Sequence, residues 1–272
     1  MSSPTSGSTL TVRDVLDRLD QLAPFRLAED WDNVGLLVGE RTAPARRMLA
    51  ALDLRDHVLD HAERTGCDVV LTHHPVIFPS VASVTDADPV GRAVLRAARA
   101  GIAVIAAHTN LDAAAGGLND IMAALLGLTE TRPLGAGEPH ALVGLGRIGR
   151  AEGSLETLVG RVESAFGARS VVGVVGEPGR RIERVAICTG SGGSFIDEAR
   201  DVGADVYVTG DLKYHDADRA GGMALVSAAH GAVEAECLRE WVAMNAEAVG
   251  IPVTSLDETT DPWWARGDEP PR

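Results

Sequence analysis

Aromatic residues are scarce in this chain of 272 residues, at 4% of the total. Hydrophobic residues nonetheless make up 45%, so a core must be built from Ala, Val, Leu and Ile packed in strand and helix layers. Cysteine is nearly absent. Cys67, Cys188 and Cys237 are odd in number, far apart, and form no C-x-x-C pair. That excludes a disulfide framework and implies buried free thiols in a reducing compartment. No apolar run approaches the ~18 residues of a spanning helix, so no membrane partner is expected. No run of basic residues occurs, and the formal net charge is -14. So acidic a chain is a poor generic binder of nucleic acid or anionic lipid, because phosphate rewards Lys and Arg. The first eight residues, Met1 to Ser8, lack the basic and apolar segments of a secretory signal. The expectation is a cytoplasmic protein of one large or two modest domains.

What the chain does have is three apolar stretches that each end in imidazole. They are Val69-Val70-Leu71-Thr72-His73-His74-Pro75, Ala103 to Ala107 followed by His108, and Ala224 to Ala229 followed by His230. Four of the eight histidines sit at these ends. In open α/β sheets ligands bind at strand ends. Two of the stretches add a carboxylate one helical turn on: His108-x-x-x-Asp112 and His230-x-x-x-Glu234.

The surrounding pattern alternates buried strands with amphipathic helices. Thr11 and Asp14 form a capping-box pattern that opens a helix to about Leu22, with Val12, Val15, Leu16 and Leu19 on one face. Helices are predicted over Asp56 to Thr65 and Pro89 to Ala100, between strands at Met48 to Leu54, Asp68 to Thr72 and Ala103 to Ala107. A looser Gly- and Pro-rich region, about Leu128 to Glu183, holds a helix at Ser154 to Phe166 with a short strand on either side. Residues 1 to 9 read as disordered. The end from Asp257 reads as an acidic tail, pinned by Trp263 and Trp264.

The order of elements repeats. Ala62-x-x-x-Gly66-x-Asp68-Val69-x-x-Thr72 matches Ala199-x-x-x-Gly203-x-Asp205-Val206-x-x-Thr209 without a gap, and each leads on to an Ala-His-x-x-x-acid segment. The fold class is therefore α/β: two related halves with largely parallel, helix-covered sheets and a metal site in the cleft between them. The first half is residues 1–127. The second is 128–272, with small inserted elements and the tail.

His-x-x-x-acid puts two donors on adjacent turns of one helix face. A lone instance is more often an ordinary helix-start pair. Two counterparts at matched strand ends favour ligation. His73 and His74 are neighbours in extended chain and point apart, so they suit two adjacent ions better than one; their bland reading is a buried pair bonded to backbone carbonyls. Four imidazoles and two carboxylates without thiolate suit Zn²⁺, Mn²⁺, Fe²⁺ or Co²⁺. Six donors exceed the needs of one tetrahedral ion and fit two ions ~3.5–4 Å apart.

Other polar segments are candidates for lesser roles. Thr209-Gly210-Asp211-Leu212-Lys213-Tyr214-His215 is the counterpart of the Thr72-His73-His74 turn, and Asp211, Lys213 and His215 face either the cleft or solvent. Glu29, Asp30, Asp32 and Asn33 around Trp31 read as support for the site, a substrate contact, or a plain turn. Thr189-Gly190-Ser191-Gly192-Gly193-Ser194 has the strand-to-helix position of an anion cradle but lacks the lysine of a P-loop. His57, His61 and His140 read as structural.

Together Asp30-Trp31-Asp32-Asn33-x-Gly35, Thr72-His73-His74-Pro75, His108-Thr109-Asn110-x-Asp112, Thr209-Gly210-Asp211-x-Lys213-x-His215 and His230-x-x-x-Glu234 resemble the GTP cyclohydrolase 1 type 2 homologue family, the Nif-three-like dinuclear metal proteins. The resemblance runs from about residue 11 to Trp263. It implies His73, His74, Asp112, His230 and Glu234 as metal ligands, Glu234 bridging, with His108 at the site. It also implies a hexameric ring with the sites facing an inner cavity. Tyr214 and Asp211 depart from the family pattern, which often has His and Glu there. The resulting expectation is a metal-dependent hydrolase using two divalent ions (Zn, Fe, Mn or Co) on a nucleotide-like small molecule, with His108 or His215 moving protons. The alternatives are a non-catalytic metal scaffold or regulatory protein, and phosphoester hydrolysis at the same ion pair.

Overall fold

A computed structural model describes residues 9–134 and 143–256. His140, the tail from Asp257, and Trp263 and Trp264 lie outside the described residues. The first half runs α1 (Val12–Leu22), β1 (Gly35–Val38), β2 (Met48–Ala51), α2 (Asp56–Thr65), β3 (Val69–Thr72), α3 (Pro89–Ala100), β4 (Ala103–Ala106), α4 (Thr109–Ala113) and α5 (Leu118–Leu125). The second runs β5 (Thr129–Pro133), β6 (Arg147–Ser154), α6 (Leu155–Phe166), β7 (Val171–Val175), β8 (Arg181–Ile187), α7 (Ile196–Asp201), β9 (Val206–Gly210), α8 (Asp216–Arg219), β10 (Ala224–Ala228), α9 (His230–Val249) and β11 (Val253–Ser255).

Local chemistry sets these bounds. At the start of α1, the Thr11 amide donates to Asp14 Oδ2 at 2.7 Å while Asp14 N–H donates to Thr11 Oγ1. Asp88 caps α3 by accepting from the Gly91 amide, and Pro89 fills the first helical position, where no N–H is needed. Both α2 and α3 stop at left-handed glycines, Gly66 and Gly101.

The five-stranded sheet has the order β1-β4-β3-β2-β11, and the six-stranded sheet β5-β6-β8-β9-β10-β7. Strands β2, β3 and β4 are parallel neighbours, as are β8, β9 and β10. An antiparallel strand, β1 or β7, flanks each trio. The predicted repeat is thus a repeat of topology. The second sheet is less parallel than expected: β5 pairs antiparallel with β6, and β6 antiparallel with β8. Strand β11 leaves its own half and pairs with β2 of the first sheet.

Alternation along the strands divides the core. Met48 and Ala50 face one cluster shared by both sheets with α1, α5, α6 and α9; Leu49 and Ala51 face a second under α2 and α3. Tyr207 and Leu225 face a third under α7. The sheets lean on a common helical layer. This brings the C-terminal ends of β3, β4 and β10, and the histidines that follow them, to one place. Cys67, Cys188 and Cys237 are buried free thiols. Among the described residues, no helix is long and apolar enough to cross a membrane.

Candidate metal centre

His73 and His74 leave β3 as the strand ends, and their rings stand 5.3 Å apart. The His73 ring is 5.2 Å from that of His108, and the His74 ring 5.5 Å from that of His230. Glu234 reaches in from the second turn of α9. Three groups have ligand atoms mutually within 4.8 Å: His73, Asp112 and Glu234; His74, His230 and Glu234; and His73, His74 and His108. Glu234 belongs to two of them. So all five expected ligands converge, and His108 converges with them.

Each imidazole is held from behind through Nδ1. His73 Nδ1 donates to the Ala107 carbonyl at 2.9 Å. His74 Nδ1 lies 3.0 Å from Asp53 Oδ1, His108 Nδ1 2.9 Å from Asp32 Oδ1, and His230 Nδ1 2.7 Å from Asp211 Oδ2. This arrangement fixes the tautomer and turns Nε2 inward. Asp112 is steadied by the Thr189 hydroxyl, at 2.8 Å.

The donor set fits a divalent cation. His73 Nε2 is buried and has no hydrogen-bond partner among the described residues. Its nearest acidic oxygens, Glu234 Oε1 and Asp112 Oδ2, are 3.5 and 3.7 Å away. An orphaned buried nitrogen facing two buried carboxylates is costly unless a cation joins them. In the metal-free chain, protons partly do that work. Burial opposes a charge on His74, but Asp53 and Glu234 outweigh it and raise its pKa to about 10. Burial opposes a charge on His230 as well, yet Glu234 and Asp211 raise it to about 9. Against burial, the His73, His230 and His74 imidazoles hold Glu234 well below the ordinary carboxyl range. Asp112 is pushed up, by burial first and also by the neighbouring Glu234 charge.

Several supporting residues were not assigned by sequence. Asp53, just past the end of β2, carries no local signal of its role behind His74. Asp32 is support for the site: it binds both His108 and the Thr109 amide and hydroxyl. Burial opposes ionisation of Asp32, but these bonds hold its pKa at about 2. Asp211 sits behind His230 at a left-handed φ of 55°, a conformation that Asp tolerates better than most residues. The Gly-rich turn is filled by the chain itself: a Cβ on Gly190 would lie 2.5 Å from Glu234 Oε1. The turn that has the position of an anion cradle takes this protein's own carboxylate. His215 is not brought to the cluster. Its side chain is 86% exposed, with Nδ1 3.5 Å from Asp218, and Lys213 is exposed too.

The family profile described as Duf34/NIF3 (NGG1p interacting factor 3) matches residues 10–262. The chain belongs to the Duf34/NIF3 family. A Clostridium acetobutylicum relative named GTP cyclohydrolase 1 type 2 homolog is 34% identical over 210 residues, 76% of this chain and 78% of that one. A Streptomyces coelicolor relative of the same name is 35% identical over 229 residues, 81% of this chain and 80% of its own. Among solved structures, a hypothetical protein of Staphylococcus aureus is similar with a TM-score of 0.83 at 30% identity, covering 95% of this chain and all of that one. Reduced HcgD from Methanocaldococcus jannaschii gives 0.78 at 28% identity, covering 92% and 98%. This Duf34/NIF3 chain therefore shares the family's fold along nearly its whole described length.

Proposed function

We propose that this Duf34/NIF3 protein is a dinuclear divalent-metal hydrolase acting on a nucleotide-like small molecule. The observation that carries the reading is the sharing of Glu234 between the His73/Asp112 group and the His74/His230 group. His73, His74, Asp112, His230 and Glu234 would hold two ions of the Zn, Fe, Mn or Co type. Bound ions of this kind supply Lewis acidity and activate water at neutral pH. His108, its ring fixed by Asp32, has Nε2 left to take a proton and return it to a leaving group. A cavity of about 460 Å³ beside His74 and His230, walled by Leu52, Val172 and Leu212, has the size for a small substrate. The name borne by the relatives supports a nucleotide. The exposed apolar edge strand β7, with Val172 70% exposed, supports assembly as a homo-oligomer, a hexamer by family resemblance. A cytoplasmic location belongs to the same reading.

A non-catalytic metal scaffold is the second reading, favoured by the deep burial of His73, Asp112 and Glu234. Metal analysis separates both from a site without metal. Two ions per chain are expected in the parent protein, with marked loss in His73→Ala and Glu234→Ala. Unchanged content in both variants overturns the centre. Incubation of metal-loaded protein with nucleotides, read by mass, should reveal a hydrolysed product. No turnover with any of the four metals leaves the scaffold.

A further inference from the structure

A second cavity, of about 660 Å³, opens between α2 and the first turn of α3. Arg55, His57, Arg64 and Arg92 line it, together with Asp56 and Asp60. Three guanidinium groups around one cavity are unexpected in a chain of net charge -14. The two acids are partly engaged elsewhere. Asp60 accepts from Arg96 at 2.5 Å and Asp56 lies 3.9 Å from the same guanidinium, which is outside the cavity wall and also bonds Glu63.

Two of the three cations are held without a carboxylate. Arg64 bonds the His61 ring and Arg92 the Asp86 carbonyl, and neither has a carboxylate partner among the described residues. Arg55 is the third, and pairs with Asp53 at 3.6 Å. Arg55 Nε and His57 Nε2 are buried and lack any hydrogen-bond partner among the described residues. Buried nitrogens of this kind call for an acceptor. Forked guanidiniums in a group match phosphoryl oxygens in geometry as well as charge. The first turn of α2 has no side-chain cap, so its N–H groups add to the positive side. Arg55 also lines the cavity beside His74 and His230, so the two spaces share a wall.

We propose that the cavity between α2 and α3 is a phosphate-binding subsite that takes the phosphate tail of a substrate whose reacting end lies at the imidazole cluster. The tail assignment rests on the hydrolase reading; the anion site does not. His57 then becomes an anion ligand instead of a structural residue, and Arg55 joins the tail site to the reaction site.

The test is calorimetric titration of the full chain with inorganic pyrophosphate after metal removal, which keeps chelation out of the signal. The parent protein should bind, and Arg64→Ala/Arg92→Ala should bind at least tenfold more weakly. Both positions are exposed, so an unchanged melting temperature is expected to show the fold intact. Arg46→Ala, which removes an exposed arginine paired with Asp68 elsewhere, should leave pyrophosphate affinity unchanged. In a second arm, guanosine triphosphate should bind the parent at least tenfold more tightly than guanosine, and the double variant should lose that advantage. Absent pyrophosphate binding, or equal binding by parent and double variant, overturns the subsite. Arginine-dependent pyrophosphate binding with no gain for the triphosphate overturns the tail assignment and leaves a free-anion site. Failure of the parent to hold metal sinks the hydrolase reading and the tail assignment with it but leaves the anion site standing, because the pyrophosphate arm is metal-free.

Discussion

The two halves share a strand order but contribute unequally to the cluster of imidazoles and carboxylates. The first supplies His73, His74, His108 and Asp112; the second supplies His230 and Glu234. The alignment that sets Thr72 against Thr209 sets His73 against Gly210, His74 against Asp211 and Asp53 against Gly190. Each replacement has a physical reason. A Cβ at Gly210 would lie 2.8 Å from the Gly190 carbonyl and 3.1 Å from His230 Cβ, so the second half has no room for a ligand there. Asp211 stands at the ligand's counterpart position and holds His230 from behind. Gly190 replaces a supporting carboxylate with open space for Glu234. A duplicated frame can thus assemble one set of convergent donors when one copy keeps most of them and the other keeps the shared carboxylate and the space around it.

The largest effect should follow from breaking the shared point. Glu234→Gln touches both groups and should cost both ions, whereas Asp112→Asn, confined to the His73 group, should cost one; plasma emission analysis of dialysed protein counts them. Equal losses would mean that Glu234 does not bridge.

Gly190→Ala comes next. It adds a left-handed alanine and a Cβ driven into Glu234, and should destabilise by about 2–4 kcal/mol. Gly66→Ala is the control: φ is 68° but nothing lies within 4 Å of the added methyl, so only backbone strain of about 1 kcal/mol is expected. Denaturant unfolding midpoints of the two variants decide whether the site or the strain is being felt.

The supports can be compared across the halves. Asp53→Asn should weaken the His74 side and Asp211→Asn the His230 side, each by roughly tenfold in metal affinity. The same pair governs pH behaviour without metal. His74 and His230 have folded pKa values of about 10 and about 9, above the ordinary histidine value of about 6.5. Their contribution to stability is complete below about pH 6.5 and is lost as pH rises through about 9 to 10. The melting temperature of metal-free protein should therefore fall across that interval. Saturating zinc should flatten the fall, because the metal takes the place of the protons and releases them on binding. A metal-free profile that rises across the interval would contradict the charge assignment.

The smallest effect belongs to His215→Ala. The exposed ring should contribute less than about 0.5 kcal/mol, and metal content should not change. A loss of bound metal would show that the loop after β9 closes on the cluster in solution.

Much of this was legible in the chain. Capping residues and apolar spacing placed α1, α2 and α3, because those signals act within one or two turns. The His-His pair and the two His-x-x-x-acid segments named the converging donors, because each sits where an apolar strand runs out. The antiparallel edge of the second sheet was not legible. Arg150 on β6 and Arg184 on β8 face each other, and nothing within either segment records that pairing. The supporting carboxylates were hidden for the same reason: Asp53 is 21 residues from His74 and Asp32 is 76 from His108.

The sequence by itself determined the donors that converge, although it also offered His215, and that they come in two related sets. Periodicity, capping and donor type are local properties of the chain. Only the tertiary structure decided that Glu234 is shared, that Gly190 makes room for it, and that Arg55 stands between two cavities. Those are distances between side chains brought together by two sheets closing on one helical layer, and no local pattern encodes them.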